Sequence, residues 1–478
     1  VSRPGRIGGA WSNAPLFGRG QGVFDSRGTG RVVSSALAME RLPGFRDFYP
    51  EPVPSGDALA WSASLREHIH STWRRVAHRY GFAEYDGPPL EPLELYKVKS
   101  GEEIVQQLYH FVDKGDREVA LRPEMTPTLA RMVASQARQY KKPLKWFAIP
   151  QLFRYERQQK GRLREHFQFN ADIVGESDPA ADAEVIALLV DTLRAFGFQP
   201  ADVVVRISSR QAWQEFYRRH TPAELQGPER EYAFYQVIDK WERTPPEETR
   251  KKLMELGIGW ESVERFLQES VPTQELTAVL ENLRARGLSE YVQVDYRVIR
   301  GLAYYTGIVF EAFDRQGRFR AIAGGGRYDH LIRLISGGRV DLPALGFGMG
   351  DVVLAELIRA RGLAPAPPPR VQVFCLVEDE SLRAPTLPLV QQLRDAGLAA
   401  DHPLGPEKPD KQFKRARDAG ARFVVSLARD PDGTIRAQVR DLQTRTSTVC
   451  EPDGVLGRIR AALAGAGETV GSQPGDGS

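Results

Sequence analysis

FRYERQQKGRLREHFQFNADIVG, residues 153–175, is the stretch on which the reading of the chain turns. Phe167, Phe169 and Ala171 alternate with Gln168, Asn170 and Asp172, the period of a strand with one apolar and one polar face. On the preceding strand, WFAIPQLFRYE, Arg154 and Glu156 share a face, and the basic stretch RQQKGRLRE joins the two strands. Eight basic and two acidic residues fall between Lys141 and His166, a local excess of six positive charges that needs an anionic partner or a long exposed loop. A solvated hairpin tip accounts for Lys160, Arg162 and Arg164, but not for a polar face that continues into both strands. An arginine at the base of such a hairpin can clamp a phosphate bidentately, while Gln and Asp on the neighbouring strand can hold an ammonium or an amide. The pattern suits a nucleotide and an amino acid held side by side.

Working outward, DALAWSASLREHIHSTWRRVAHRY (57–80) has helical spacing and Gly81 supplies its stop. The paired prolines of FAEYDGPPLEPLELY predict a sheet edge or an interface. QQLYHFVD, the turn KGDR and EVALRPE predict a hairpin. Downstream, a helix at 177–198, a strand at 203–207 and a helix at 209–219 precede a polar helical insertion at 221–288. Strands return at VQVDYRVI, GIVFEAFD, FRAIAGG and ALGFGM, with helices at 328–335 and DVVLAELIRARG. The proline-rich LAPAPPPR (363–370) reads as a hinge. After it, strands and helices alternate in a small α/β module with a mixed sheet. The fold class expected is therefore α+β, an antiparallel sheet flanked by helices. Its parts are a domain at 41–365 with the 221–288 insertion, a second α/β domain at 366–465 and a flexible tail at 466–478.

Length and composition narrow the functional classes. A chain of 478 residues exceeds one ordinary core. No stretch approaches eighteen uncharged apolar residues, so no spanning helix is expected. A net charge of +3 means that a nucleic-acid partner must be held by local patches. Cys375 and Cys450 are the sole cysteines, too few for a zinc cluster or a disulfide framework; they suit a reducing cytoplasm and leave a single pairing open. Residues 1–40 are rich in Gly, Ser and Arg and read as a disordered extension. Its arginines could serve organelle targeting, but the plainer reading is a start codon set upstream of Met39.

Two further segments carry chemistry. In LRPEMTPTLAR (121–131), Arg122 and Glu124 share a face and Thr126 starts a helix; taken alone, the first two could be a solvated pair and the third an N-cap. In VIRGLAYYTGIVFEAF (298–313), Arg300 precedes Tyr304 and Tyr305, an aromatic pair more usual in a core. The glycines of AGGGRYDHL are a weak phosphate signal without the end of a P-loop. No ligand-spaced His or Cys cluster occurs, so a protein-built metal site is not expected.

In this order, LRPEMTPTLAR, FRYERQQKGRLREHFQFNADIVG, RGLAYYTGIVFEAF and AGGGRYDHL resemble the class II histidyl-tRNA synthetases. GFRDFYPEP, YGFAEYDGPPLE and the C-terminal module match as well, so the resemblance covers roughly 42–462. It implies ligation of L-histidine to tRNA(His) through a histidyl-adenylate, with ATP and accompanying Mg²⁺, by a cytoplasmic homodimer. Carried over residue by residue, it puts Pro88 at the dimer interface and Arg154 on the α-phosphate and the histidine carboxylate. Glu156 and Arg162 fall on the nucleotide; Glu124, Thr126, Gln168 and Asp172 fall in the amino-acid pocket, Asp172 as the carboxylate for the α-ammonium. Arg300 assists attack on the α-phosphate, and Tyr305, with Tyr304 and Tyr328, lines the histidine pocket. The last domain becomes an anticodon-binding module in which Lys411, Lys414 and Arg415 form a basic stripe toward RNA. Two departures from the family pattern stand out. In GFGMGDVVL, Val352 and Val353 stand where Glu and Arg are usual, and Ala303 stands where Asp is usual; Mg²⁺ or Arg164 is expected to replace the missing cation. The rival readings are a non-catalytic regulatory subunit of histidine biosynthesis and an RNA sensor.

Overall fold

The alternation in residues 165–174 places a strand, apolar on one side and polar on the other, in the middle of a large sheet. The computed structural model describes residues 40–100, 102–155, 162–241, 244–298 and 305–465. Contacts divide the chain into Val1–Pro43 and Gly44–Ser478, and every element below belongs to the second unit. The sheet comprises β1 (Ala83–Glu84), β2 (Leu144–Ala148), β3 (Gln151–Phe153), β4 (Glu165–Val174), β5 (Val203–Ser209), β6 (Val292–Val294), β7 (Ile308–Asp314), β8 (Ala323–Arg327) and β9 (Ala344–Gly350). Their order is β6-β5-β7-β8-β9-β4-β2-β1, with β3 paired to the first residues of β4. Pairing is antiparallel except at the two edges, where β5–β6 and β1–β2 run parallel.

One face of this sheet is the main core. It packs against α1 (Ala63–Arg79), α3 (Pro179–Ala195) and α4 (Asp351–Ala360), while α2 (Thr126–Gln136) lies over the opposite face. Phe169, Ala171, Phe310 and Phe347 point into the core, which is why positions 169, 171 and 173 of β4 are apolar. In α1, Leu65, Ile69, Trp73 and Val76 are buried at helical spacing, and Ser62 Oγ accepts the Leu65 N–H. The helix starts at Ala63 and not near Asp57, because Ala60–Ser62 pairs in parallel with Asp47–Tyr49. Sheet pairing overrides helical spacing there.

The expected hairpin forms as His110–Val112 with Glu118–Leu121, and Leu90–Pro92 is the third strand of that small sheet. The 221–288 region holds helices Pro228–Asp239, Pro246–Glu255, Trp260–Glu269 and Gln274–Ala285. Their buried Phe234, Leu253, Val263 and Leu276 belong to the same apolar cluster as α3 and the sheet, so the insertion shares the main core. Residues 371–463 build two apolar clusters of their own around a mixed sheet. Cys375 and Cys450 are both free thiols. Among the described residues, no helix is long and apolar enough to cross a membrane.

Candidate active site

The cleft face of the sheet owes its shape to glycine. Gly324 and Gly326 on β8 stand directly opposite Gly348 and Gly346 on β9, and Gly346 and Gly348 stand opposite Asp172 and Asn170 on β4. Directly opposed residues project to the same face, so two adjacent strands are bare there. The neighbouring side chains lie down on this floor. A Cβ at Gly346 would sit 2.0 Å from Asp172 Oδ1, one at Gly348 2.5 Å from Gln168 Nε2, and one at Gly326 2.9 Å from the Tyr305 ring. The glycine run of AGGGRYDHL is therefore a strand that makes room for site side chains, and not a loop of the kind that cradles phosphate.

His166, Gln168, Asn170 and Asp172 form a row along β4 on this face. Gln168 Nε2 donates to Asn170 Oδ1 at 2.9 Å, and His166 Nε2 lies 3.3 Å from Gln168 Oε1. Cations gather at the first end of the row. Burial, then the positive charges of Arg154, Arg46 and Arg162, push the His166 pKa down to about 3, so the ring is neutral near pH 7. The Arg154 backbone N–H donates to the Arg164 carbonyl, and its Nε donates to the Pro123 carbonyl at 3.1 Å. The guanidinium of Arg164 lies over the Tyr155 ring at 4.8 Å.

The far end of the row is sealed. Asp172 is 2 % exposed and its Oδ1 accepts the Tyr328 hydroxyl at 2.5 Å. Its Oδ2 is buried with no hydrogen-bond partner among the described residues. Burial pushes its pKa up to about 7 against the pull of the Tyr328 hydroxyl. Tyr305, Tyr328, Tyr85 and Trp146 share one apolar cluster at this end.

Arg122 and Glu124 do not form a pair. Arg122 is buried, donating to Asp86 Oδ1 at 2.9 Å and to the carbonyls of Gly87 and Gln151, because its long side chain turns inward to satisfy the backbone of the proline-rich edge. Glu124 accepts from Lys99 Nζ. Thr126 is the first residue of α2 and buried, and Met125 takes the N-cap position without a side-chain bond, so Thr126 is not the cap. Pro88 is exposed in the loop before Leu90–Pro92. Lys411 and Lys414 are exposed on helix Pro409–Asp418, whereas Arg415 is engaged by Glu407 and Asp401. Glu156, Arg300, Ala303 and Tyr304 lie outside the described residues.

The altered third motif acquires a structural role. Val352 is buried in the main core and Val353 packs against it. Asp351, just before them, joins a buried ionic cluster that sequence reading missed. Arg46 Nε donates to Glu165 at 2.6 Å and its Nη1 to Asp351 at 2.8 Å, and Asp351 also accepts the Phe167 N–H at 3.1 Å. Burial raises the Asp351 pKa to about 6 while Arg46 opposes the rise. The cluster pins GFRDFY to the first residue of β4 and to the start of α4. It spans more than 300 positions, and only the charge of Arg46 close to Phe45, Phe48 and Tyr49 could have signalled it.

Comparison with known proteins agrees with this geometry. Residues 56–350 match the family model described as histidyl-tRNA synthetase. The histidine--tRNA ligase of Opitutus terrae is 44% identical over 443 residues, 88% of this chain and 98% of that protein. The solved histidyl-tRNA synthetase from Nostoc sp. PCC 7120 superposes with a TM-score of 0.69 at 23% identity, over 84% of this chain and 96% of that one. A Bacillus halodurans protein described as an ATP phosphoribosyltransferase regulatory subunit/histidyl-tRNA synthetase superposes at 0.65 with 22% identity, over 82% and 98%, so the fold alone does not separate enzyme from regulator. The identity to curated ligases speaks for the enzyme, and the chain belongs to the histidyl-tRNA synthetase family.

Proposed function

We propose that the glycine-floored cleft is where this chain activates histidine before passing it to tRNA. As a member of its family the enzyme uses ATP to join L-histidine to tRNA(His) through a histidyl-adenylate. One observation carries the assignment of the cleft: a single strand orders the site, cations at one end and a sealed carboxylate at the other. Along β4, Gln168 stands between the cationic first end and Asp172. A histidine whose carboxylate faces Arg154 thus places its backbone over Gln168 and its ring toward Asp172. The α-ammonium then falls to Gln168 and Glu124, and Asp172, first expected to hold it, is better suited to the imidazole, because its surroundings are aromatic and dry.

The carboxylate oxygen of histidine attacks the α-phosphorus in line, and pyrophosphate leaves with the bonding pair. Arg154 and Arg300 neutralise the charge that builds on the α-phosphate, with Glu156 and Arg162 positioning the nucleotide. Neutral His166 lines this end without adding a competing charge. Magnesium arriving with the triphosphate would supply further neutralisation, and Glu311, which β7 presents to the cleft face opposite Gly324, is the oxygen donor able to share it with phosphate. The terminal ribose hydroxyl of tRNA then attacks the carbonyl carbon, and AMP leaves. Lys411, Lys414 and Arg415 face RNA phosphates in the last domain.

The enzyme works as a homodimer in the cytoplasm in this reading. Exposed Pro88, with Leu90 and Phe111 at 37% and 51% exposure on the small sheet, supports a self-interface, and two free thiols fit a reducing compartment. Histidine-dependent ATP–pyrophosphate exchange tests the assignment. Wild type should exchange with histidine alone among the amino acids, and Arg154→Ala should abolish it. Wild type without exchange would mark a regulator.

A further inference from the structure

The buried arginine of GFRDFY takes hold of the strand that orders the cleft. On β4, Glu165, Phe167 and Phe169 alternate with His166, Gln168 and Asn170, so Glu165 turns to the core face while the polar row turns to the cleft. Arg46 meets Glu165 from the core side, with Nε donating to Oε1 at 2.6 Å and Nη2 to Oε2 at 3.1 Å, a two-pronged grip on one carboxylate. Nη1 of the same guanidinium donates to Asp351 Oδ2 at 2.8 Å, and Asp351 Oδ1 accepts the Phe167 N–H at 3.1 Å. Gln151 Nε2, from β3, donates to Glu165 Oε2 at 3.1 Å. The guanidinium also lies over the rings of Trp61 and Phe48, at 4.4 and 5.0 Å. The side chains of Arg46, Glu165 and Asp351 are sealed from solvent.

What the grip secures is the base of the basic hairpin. Two residues before Arg46, the Gly44 carbonyl accepts the Arg164 N–H at 3.0 Å, and the Arg164 carbonyl accepts the Arg154 N–H at 2.9 Å. Phe153 stands opposite Glu165 in the β3–β4 register, so Arg154 leaves β3 beside the clamped residue. Residues 44 and 46 thus fasten 164 and 165, one through the backbone and one through a side chain, and 164 fastens 154. After burial, the charges of Arg154, Arg46 and Arg162 hold the His166 ring neutral, which puts the clamp within electrostatic reach of the cationic end of the cleft. Arginines brought together repel one another, so their convergence needs a frame that this repulsion does not open.

We propose that Arg46 is a positioning residue for ATP: by gripping Glu165 from the core side it holds the backbone pair Arg154–Arg164, and with it the cations of the hairpin base, at the spacing a triphosphate requires. Arg46 touches no substrate, because its side chain is sealed beneath the strand. A guanidinium suits the task, since its planar fork engages two carboxylates in fixed directions, whereas an ammonium is a point charge without such a fork. The loosening need not be large, because a misplacement of about 1 Å at a substrate-binding group can cost about a hundredfold in function. The proposal rests on the reading of the cleft as the histidine-activating site.

The test compares Arg46→Lys, Glu165→Gln and Asp351→Asn in ATP–pyrophosphate exchange, reading the ATP KM against the inhibition constant of adenosine, which carries no phosphate. Arg46→Lys gives up the fork. Glu165→Gln turns an amide NH₂ group toward Arg46 Nη2 and Gln151 Nε2, both donors, while keeping the shape of the side chain, so it carries the comparison if Arg46→Lys does not fold. Asp351→Asn cuts only the arm to α4 and keeps an oxygen for the Phe167 N–H. The first two variants should raise the ATP KM relative to the adenosine constant about tenfold to a hundredfold, and Asp351→Asn by less than about threefold. Both constants read folded molecules alone, so their ratio is indifferent to the fraction of enzyme folded. An unchanged ratio in the first two variants would overturn the positioning role and leave the cleft standing. An equal rise in all three, following their melting temperatures, would make the cluster a stabilising element and overturn the role as well. Wild type without exchange would overturn the cleft assignment and this inference with it.

Discussion

Gly346→Ala puts the glycine floor to its hardest test. The new methyl carbon would lie 2.0 Å from Asp172 Oδ1, 2.6 Å from its Cγ and 2.7 Å from the Ala171 carbonyl oxygen. The last of these atoms belongs to the backbone at the centre of the sheet and cannot retreat. The Asp172 side chain must swing away by more than an ångström and surrender its bond to the Tyr328 hydroxyl, and the β9 backbone must itself shift by some tenths of an ångström from the Ala171 carbonyl. Overpacking of this kind costs about 1–3 kcal/mol of stability, tolerable in a domain of this size. Displacing a carboxylate that accepts a substrate N–H removes about 1.5–3 kcal/mol of binding, or about tenfold to a hundredfold in histidine affinity. Exchange rates measured across histidine and ATP concentrations should therefore show a raised histidine KM and an ATP KM within about twofold of wild type. Gly405→Ala, where a Cβ meets nothing within 4 Å, is the matched control and should change neither. A folded Gly346→Ala enzyme with wild-type histidine KM would refute the argument that bare strands shape this pocket.

Other expectations follow from the same physics. Arg46→Ala strands Glu165 and Asp351 as buried carboxylates, and thermal unfolding should show a loss of about 3–5 kcal/mol; a melting point equal to wild type would dismiss the cluster as a stabilising element. Asp172 has a folded pKa near 7 against 3.8 unfolded, so its contribution to stability is fully present below pH 3.8 and is lost as pH rises toward 7. Without histidine, the stability of wild type minus that of Asp172→Asn should decline across this window, and a flat difference would contradict the buried, singly bonded carboxylate. Truncation after Pro369 removes a part with its own apolar clusters; tRNA charging should fall while exchange persists, and charging at the full rate would clear the last domain of RNA binding.

What the sequence disclosed was whatever obeys a local period. The two faces of 167–172 are legible because neighbours in a strand alternate, and the hairpin at 110–121 is legible from its turn. The glycine floor was misjudged because a glycine run has the same text in a loop or a strand; only register shows that Gly326 and Gly346 oppose each other. Val352 and Val353 read as a lost cation, and the structure shows them packed on the core behind Asp351. Long-range ionic partners such as Arg46 with Glu165 have no local signature at all.

The orientation of the amino acid along β4 is the claim on which the mechanism depends, and a crystal structure with L-histidine bound examines it directly. The account predicts an imidazole nitrogen within hydrogen-bonding distance of Asp172 Oδ2, with the carboxylate turned toward Arg154. A ring directed at Arg154 with the ammonium on Asp172, or histidine bound away from the glycine floor, would contradict it.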